Sequence, residues 1–213
     1  FIGSDDCYLH AVNILSGNRT WRVEASGAIR SSPFITNEYI YFGCEAGELF
    51  CVDFRGQVKW RFQAKRAITA SPLVDKGVLF ITSLDSTAYA IDAKAGWGIW
   101  RFRMGKGSVS SPIKVENYVI FGSADDYIYC LDASNAREIW RYHADHQVSG
   151  SPVIYKDAVY IGAADGSFYS LETRTGRLRW KFNTGGPITG SPVIHNDVVF
   201  LGSCDHILYA LLA

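Results

Sequence analysis

The 213-residue chain has no net charge, with 21 Lys and Arg against 21 Asp and Glu. A nucleic-acid groove or a surface for anionic membranes needs a basic excess, so the balance argues against both. No apolar run approaches the ~20 residues that a membrane-spanning helix requires. No Cys-x-x-Cys pair is present, which removes the usual framework of a zinc site. The five cysteines, Cys7, Cys44, Cys51, Cys130 and Cys204, are odd in number, as expected for free thiols. No window keeps a 3.6-residue apolar period, and 20 glycines weigh further against helix. The chain opens at Phe1 without a charged leader and apolar segment. The expectation is a piece cut from a longer protein.

What the chain does have is a repeat. Trp21, Trp60, Trp100, Trp140 and Trp180 follow one another at intervals of 39, 40, 40 and 40 residues. The Ser-Pro pairs ending at Pro33, Pro72, Pro112, Pro152 and Pro192 keep the same intervals. Two landmarks in phase along the whole chain mean stacked supersecondary units that share a core, and no linker breaks the phase. One domain over 1–213 is expected.

Four strands fit each period. In the last complete copy, proline precedes a short apolar strand, Val153-Ile154-Tyr155, at the one strand position where a missing donor costs least. A polar turn at Lys156-Asp157 leads to Val159–Gly162, rich in β-branched and aromatic residues. A turn at Asp165-Gly166 precedes the third strand, Phe168–Leu171, and a turn at Thr175-Gly176 precedes the fourth, Leu178–Phe182, which holds Trp180. Four-stranded antiparallel units of ~40 residues are the size of propeller blades. Each such sheet has two apolar faces to bury. The indole on its outer strand is expected to lie against the next sheet, burying ~200 Å². The small residues Ala11, Cys51, Ala90, Cys130 and Ser170 are expected to make room for it. Cys44 and Cys204 are read as sharing the position after a strand-ending glycine.

The run Ala11 to Trp21, AVNILSGNRTW, resembles the tryptophan-docking motif A-x-D-x-x-T-G-x-x-x-W of quinoprotein-type (PQQ-like) β-propeller repeats. Ala90 to Trp100 is similar, with Ala95 for threonine; Cys130 to Trp140 keeps Asp132 and has Ala136 for glycine. Ser170 to Trp180 keeps Thr175-Gly176, and Cys51 to Trp60 is one residue short at its turn. The resemblance covers the whole chain and implies an all-β propeller of about six blades, the first lacking its inner strand and the last its outer one. It leaves open whether six blades close or belong to a larger ring. It also implies an extracytoplasmic location, in the periplasm or cell envelope.

Aspartates recur at the turn between second and third strands: Asp6, Asp85, Asp125, Asp165 and Asp205, with Ala46 in the remaining copy. One acid per blade is too dispersed for calcium, which needs six or more converging oxygens. The expected role is a bond to each turn's own backbone. Departures from the repeat are more informative. Lys65, Arg66 and Lys106 replace the Gly185-Gly186 type, His143, Asp145 and His146 occupy the corresponding loop one blade on, and His206 stands where Gly166 stands. These are expected to share one rim, as a patch for a protein, an acidic peptide or a small anion. Histidine in such a patch suggests a pH sensor.

No catalytic constellation rises above the repeat, and no catalytic, metal or cofactor residue is assigned. By resemblance, a quinone-dependent alcohol or sugar dehydrogenase would need PQQ with calcium. No two cysteines are adjacent to pack on the quinone, and no Glu, Asn and Asp set lies outside repeat positions. The preferred expectation is a non-catalytic domain presenting a rim to a protein or small ligand. The resemblance offers two such contexts, the sensor portion of a bacterial receptor-like Ser/Thr kinase or an outer-membrane assembly scaffold.

Overall fold

A computed structural model describes residues 1–213 and contains β-strands and turns, with no helix. The chain divides into two compact units, Phe1–Arg103 and Met104–Ala213. In the first unit, β1 (Ile2–Gly3), β2 (Tyr8–Val12) and β3 (Arg19–Glu24) form a three-stranded blade. The second blade is β4 (Phe34–Ile35), β5 (Tyr39–Gly43), β6 (Glu48–Asp53) and β7 (Val58–Gln63). The third is β8 (Leu73–Asp75), β9 (Val78–Ser83), β10 (Thr87–Asp92) and β11 (Gly98–Arg103).

The second unit repeats the plan. Its fourth blade is β12 (Ile113–Val115), β13 (Tyr118–Gly122), β14 (Tyr127–Asp132) and β15 (Glu138–His143). The fifth is β16 (Val153–Tyr155), β17 (Ala158–Gly162), β18 (Ser167–Glu172) and β19 (Leu178–Asn183). The sixth, three-stranded, is β20 (Val193–His195), β21 (Val198–Gly202) and β22 (Leu208–Leu212). All neighbours pair antiparallel in sequence order. The six blades, incomplete at the first and last, are those the repeat implied.

Turn chemistry explains the strand joints. Lys76-Gly77 and Asn196-Asp197 have positive φ at both residues, which suits the right-handed twist of a two-residue hairpin. The turn between third and fourth strands closes with an amide four residues on, as from Gly96 to the Asp92 carbonyl and from Gly176 to Glu172. In the second blade it closes three residues on, from Gly56 to Asp53, which accounts for the single 39-residue interval.

Within each unit the core lies between blades. Leu9, Val23 and Ile29 of the first blade and its exit loop pack with Ile40, Phe42 and Phe50 of the second, all nearly inaccessible. Ile120, Ile128 and Trp140 pack with Val159, Ile161 and Leu171 across the fourth and fifth blades. The Ser-Pro serines stitch neighbouring inner strands. Ser32 donates its N–H to the Ser71 hydroxyl, and Ser111 to the Ser151 hydroxyl, each at 2.9 Å.

The cysteines are all free. Cys51 and Cys130 are buried fillers, and Cys44 is buried after Gly43. Cys204 does not share that position. Ser203 follows Gly202, so Cys204 falls one residue further along, in the exposed turn.

Candidate recognition surface

The tryptophans set the spacing between blades. Trp21 donates its indole N–H to the Phe54 carbonyl at 2.9 Å, Trp60 to Ala93 at 3.1 Å and Trp140 to Thr173 at 2.9 Å. Each acceptor lies in the following blade, on the turn between its third and fourth strands. That turn's glycine meets the ring face. A Cβ on Gly56, Gly96 or Gly176 would approach the indole to 3.0, 2.6 or 2.6 Å. The small residue expected to seat the ring is instead its cross-strand neighbour in the same sheet: Ala11 faces Trp21, Cys51 faces Trp60 and Cys130 faces Trp140. A β-bulge follows that pair in each of these blades, adding twist where the indole leaves the sheet. Trp100 pairs with Ala90 and lies 5.9 Å from the Phe80 ring. Trp180 pairs with Ser170 and packs on Tyr160 and Phe168.

The turn aspartates do more than cap their own turns. Asp125 accepts the Tyr127 N–H at 3.3 Å, but its other oxygen takes the Gly105 N–H at 2.7 Å and the Tyr129 hydroxyl at 2.8 Å. Asp205 does the same with Ile207, Gly185 and Tyr209, and Asp85 holds the Lys65 N–H and the Tyr89 hydroxyl. The carboxylate therefore clamps the loop entering its own blade. The fifth blade varies the scheme: Asp165 turns to Ser167, and the Tyr169 hydroxyl itself accepts the Asp145 N–H at 3.0 Å. In the first blade His10 stands in for tyrosine, 2.9 Å from Asp6. The signal was available in the sequence as Asp-x-x-x-Tyr in four copies. Where Ala46 replaces the acid, Phe50 replaces the tyrosine, and Glu48 takes over the loop by accepting the Ser26 N–H at 3.1 Å.

The clamps leave the rim side chains outward. In the first unit Lys65 and Arg66 are exposed on the β7–β8 loop, while the Arg66 carbonyl accepts the Ser83 hydroxyl. In the second unit Lys106, Asp145, His146 and His206 are exposed, and the Lys106 carbonyl accepts the Ser123 hydroxyl. His143 is not a loop residue. It closes β15, because its pairing with Tyr127 continues the ladder, and its ring meets the Tyr127 ring edge-on at 4.8 Å. Asp145 is ion-paired with Lys181, whose hydrogen bond holds its carboxyl below the usual carboxylate range. His206 adopts φ of +69°, the left-handed conformation that Gly166 adopts at +87° in the blade before.

For the quinone and calcium that the family's enzymes use, the donor set does not fit. No three His, Cys, Asp or Glu side chains converge. Asp125 and Asp205 are spent on backbone amides and tyrosines, and Asp85 gives one oxygen to the same pair of bonds.

Phased tryptophan joints between four-stranded antiparallel blades define a β-propeller repeat protein. A family model described as outer membrane protein assembly factor BamB matches residues 5–125 and again 85–213, and the chain belongs to this family. The crystal structure of BamB from Moraxella catarrhalis is similar, with a TM-score of 0.83 at 18% identity. The match covers 98% of this chain and 68% of that one, and at this identity it shows the fold. No curated protein matches the sequence.

Proposed function

We propose that the chain is a non-catalytic interaction domain, whose loops between fourth and first strands and between second and third strands meet a protein partner. The observation that carries this reading is the contrast on those loops between held backbone and free side chains. Asp85 fixes the amide of Lys65 and Ser83 the carbonyl of Arg66, yet both cationic side chains point to solvent. A recognition surface built so loses little backbone entropy on binding. Family membership supports the further reading that this partner belongs to outer-membrane protein assembly, in the periplasm or envelope.

The test immobilises the purified chain and the double variant Lys65→Glu/Arg66→Glu at equal folded concentration. An envelope extract is passed over both, and the retained protein is identified and rebound in pure form. At least a tenfold loss of the pure partner on the variant is expected; equal retention overturns the rim assignment. A stoichiometric absorbance or melting shift on adding PQQ with calcium would overturn the non-catalytic reading.

A further inference from the structure

In all five blades that possess a fourth strand, a cation follows the tryptophan: Arg22, Arg61, Arg101, Arg141 and Lys181. Four of them are matched within their blade or its neighbour. Arg22 lies 4.1 Å over the Tyr8 ring, and Arg61 lies over Phe50 and 3.7 Å from Glu48. Arg141 covers Tyr127 beside Glu138, and Lys181 pairs with Asp145. Arg101 sits opposite Tyr89 in the ladder, with no ion pair, hydrogen bond or ring beneath its guanidinium. The Lys65 ammonium is likewise unmatched.

Both unmatched cations line one groove of about 470 Å³ in the first unit, walled by Phe62, Tyr89 and Ile99, while the indole of the bordering Trp100 turns to the other sheet face with Ala90 and Phe80. No acid lines it. Phe62 and Tyr89 meet edge-to-face at 5.2 Å, and the bond from Tyr89 to Asp85 fixes that wall in place. The groove also has local room. Gly98 lines it, and a Cβ there would meet nothing within 4 Å. The corresponding strand position carries Arg19, Val58, Glu138 or Leu178 in the other blades.

We infer that this groove binds a small aromatic carboxylate, its ring against the wall formed by Phe62 and Tyr89 and its carboxylate on Arg101 and Lys65. The volume lies in the range of small-molecule sites, whose lining is mostly apolar with a few polar groups that fix orientation. A planar guanidinium offers two parallel donors to one carboxylate and is weakly hydrated, so it gains from an anion in a partly apolar setting. The assignment deepens the interaction reading by naming a ligand. It shares Lys65 with the rim, so its decisive variant is Arg101→Ala.

Calorimetry on the full chain compares indole-3-acetate with indole-3-ethanol, the same ring without the charge. The acid is expected to bind at least tenfold more tightly than the alcohol. Arg101→Ala should erase that difference and Arg61→Ala should keep it. Equal affinity for acid and alcohol, or an unchanged preference in Arg101→Ala, overturns the assignment. An acidic aromatic peptide binding tenfold more tightly than the free acid also overturns it, giving the groove to a peptide. Retention of the protein partner by Arg101→Ala, together with its loss in the charge-reversed rim variant, keeps the two tests separate.

Discussion

The Trp140 indole rests on Gly176, which belongs to the next blade, so closely that a single added methyl carbon would sit 2.6 Å from ring atoms. The same indole donates to the Thr173 carbonyl, three residues earlier in that turn. Ring face and ring N–H thus grip one turn together, and Trp140 is 7% exposed. The glycine is required twice over, by that contact and by its φ of +69°.

Trp140→Ala is expected to destabilise the fold by about 3–5 kcal/mol as a buried aromatic truncation. Gly176→Ala should cost about 2–4 kcal/mol, from the left-handed backbone and overpacking combined. Lys106→Ala should stay within about 0.5 kcal/mol. Chemical denaturation of the three variants checks the order; a harmless Gly176→Ala would remove the joint as the source of blade packing.

Ala136 occupies the corresponding turn position with φ of +62°, where other blades have glycine. Ala136→Gly is expected to raise stability by up to about 1 kcal/mol by relieving left-handed strain. The melting temperature should rise, and a fall would show that the methyl group packs better than the backbone suffers.

The Asp125–Tyr129 clamp should be worth about 1–2 kcal/mol when the hydroxyl is removed in Tyr129→Phe. Because the second blade replaces both partners with Ala46 and Phe50, the double variant Asp125→Ala/Tyr129→Phe should cost less than the sum of the two single changes. Strict additivity in a double-mutant cycle would deny that the pair acts as a unit.

Alkaline pH should loosen the fold before acid chemistry matters. Burial, then the bond to Asp85, pushes Tyr89 up to about 12 from the ordinary phenol value of 10.0. Burial pushes the Cys51 and Cys130 thiols up to about 12 from 9.0. Raised folded values favour the protonated native groups, so their contribution is full below about 9 and is lost as pH rises toward 12. Urea midpoints should hold from pH 7 to 9 and drop between 10 and 12; a flat profile there contradicts the buried phenols and thiols.

Thiol labelling of the native protein should reach Cys204 quickly and Cys7 more slowly. Cys44, Cys51 and Cys130 should react only on unfolding, since all three are wholly inaccessible. Rapid labelling of Cys51 in native buffer would place it outside the interblade core.

Much of this protein is fixed by local chemistry that a sequence displays. The interval between tryptophans, the prolines at inner-strand starts and the turn glycines dictate strands, hairpins and blade number, because each acts over a few residues. Even the 39-residue interval is local, a turn from Asp53 to Gly56 closed one residue earlier than its counterparts. What the chain could not display is contact between units distant in sequence. That Gly176 serves Trp140, that Asp85 reaches back to Lys65, and that Arg101 lacks the acid that Arg61, Arg141 and Lys181 have all depend on which blade faces which. Those pairings arise only when two sheets pack, since packing decides which charged side chains lose water and which keep it.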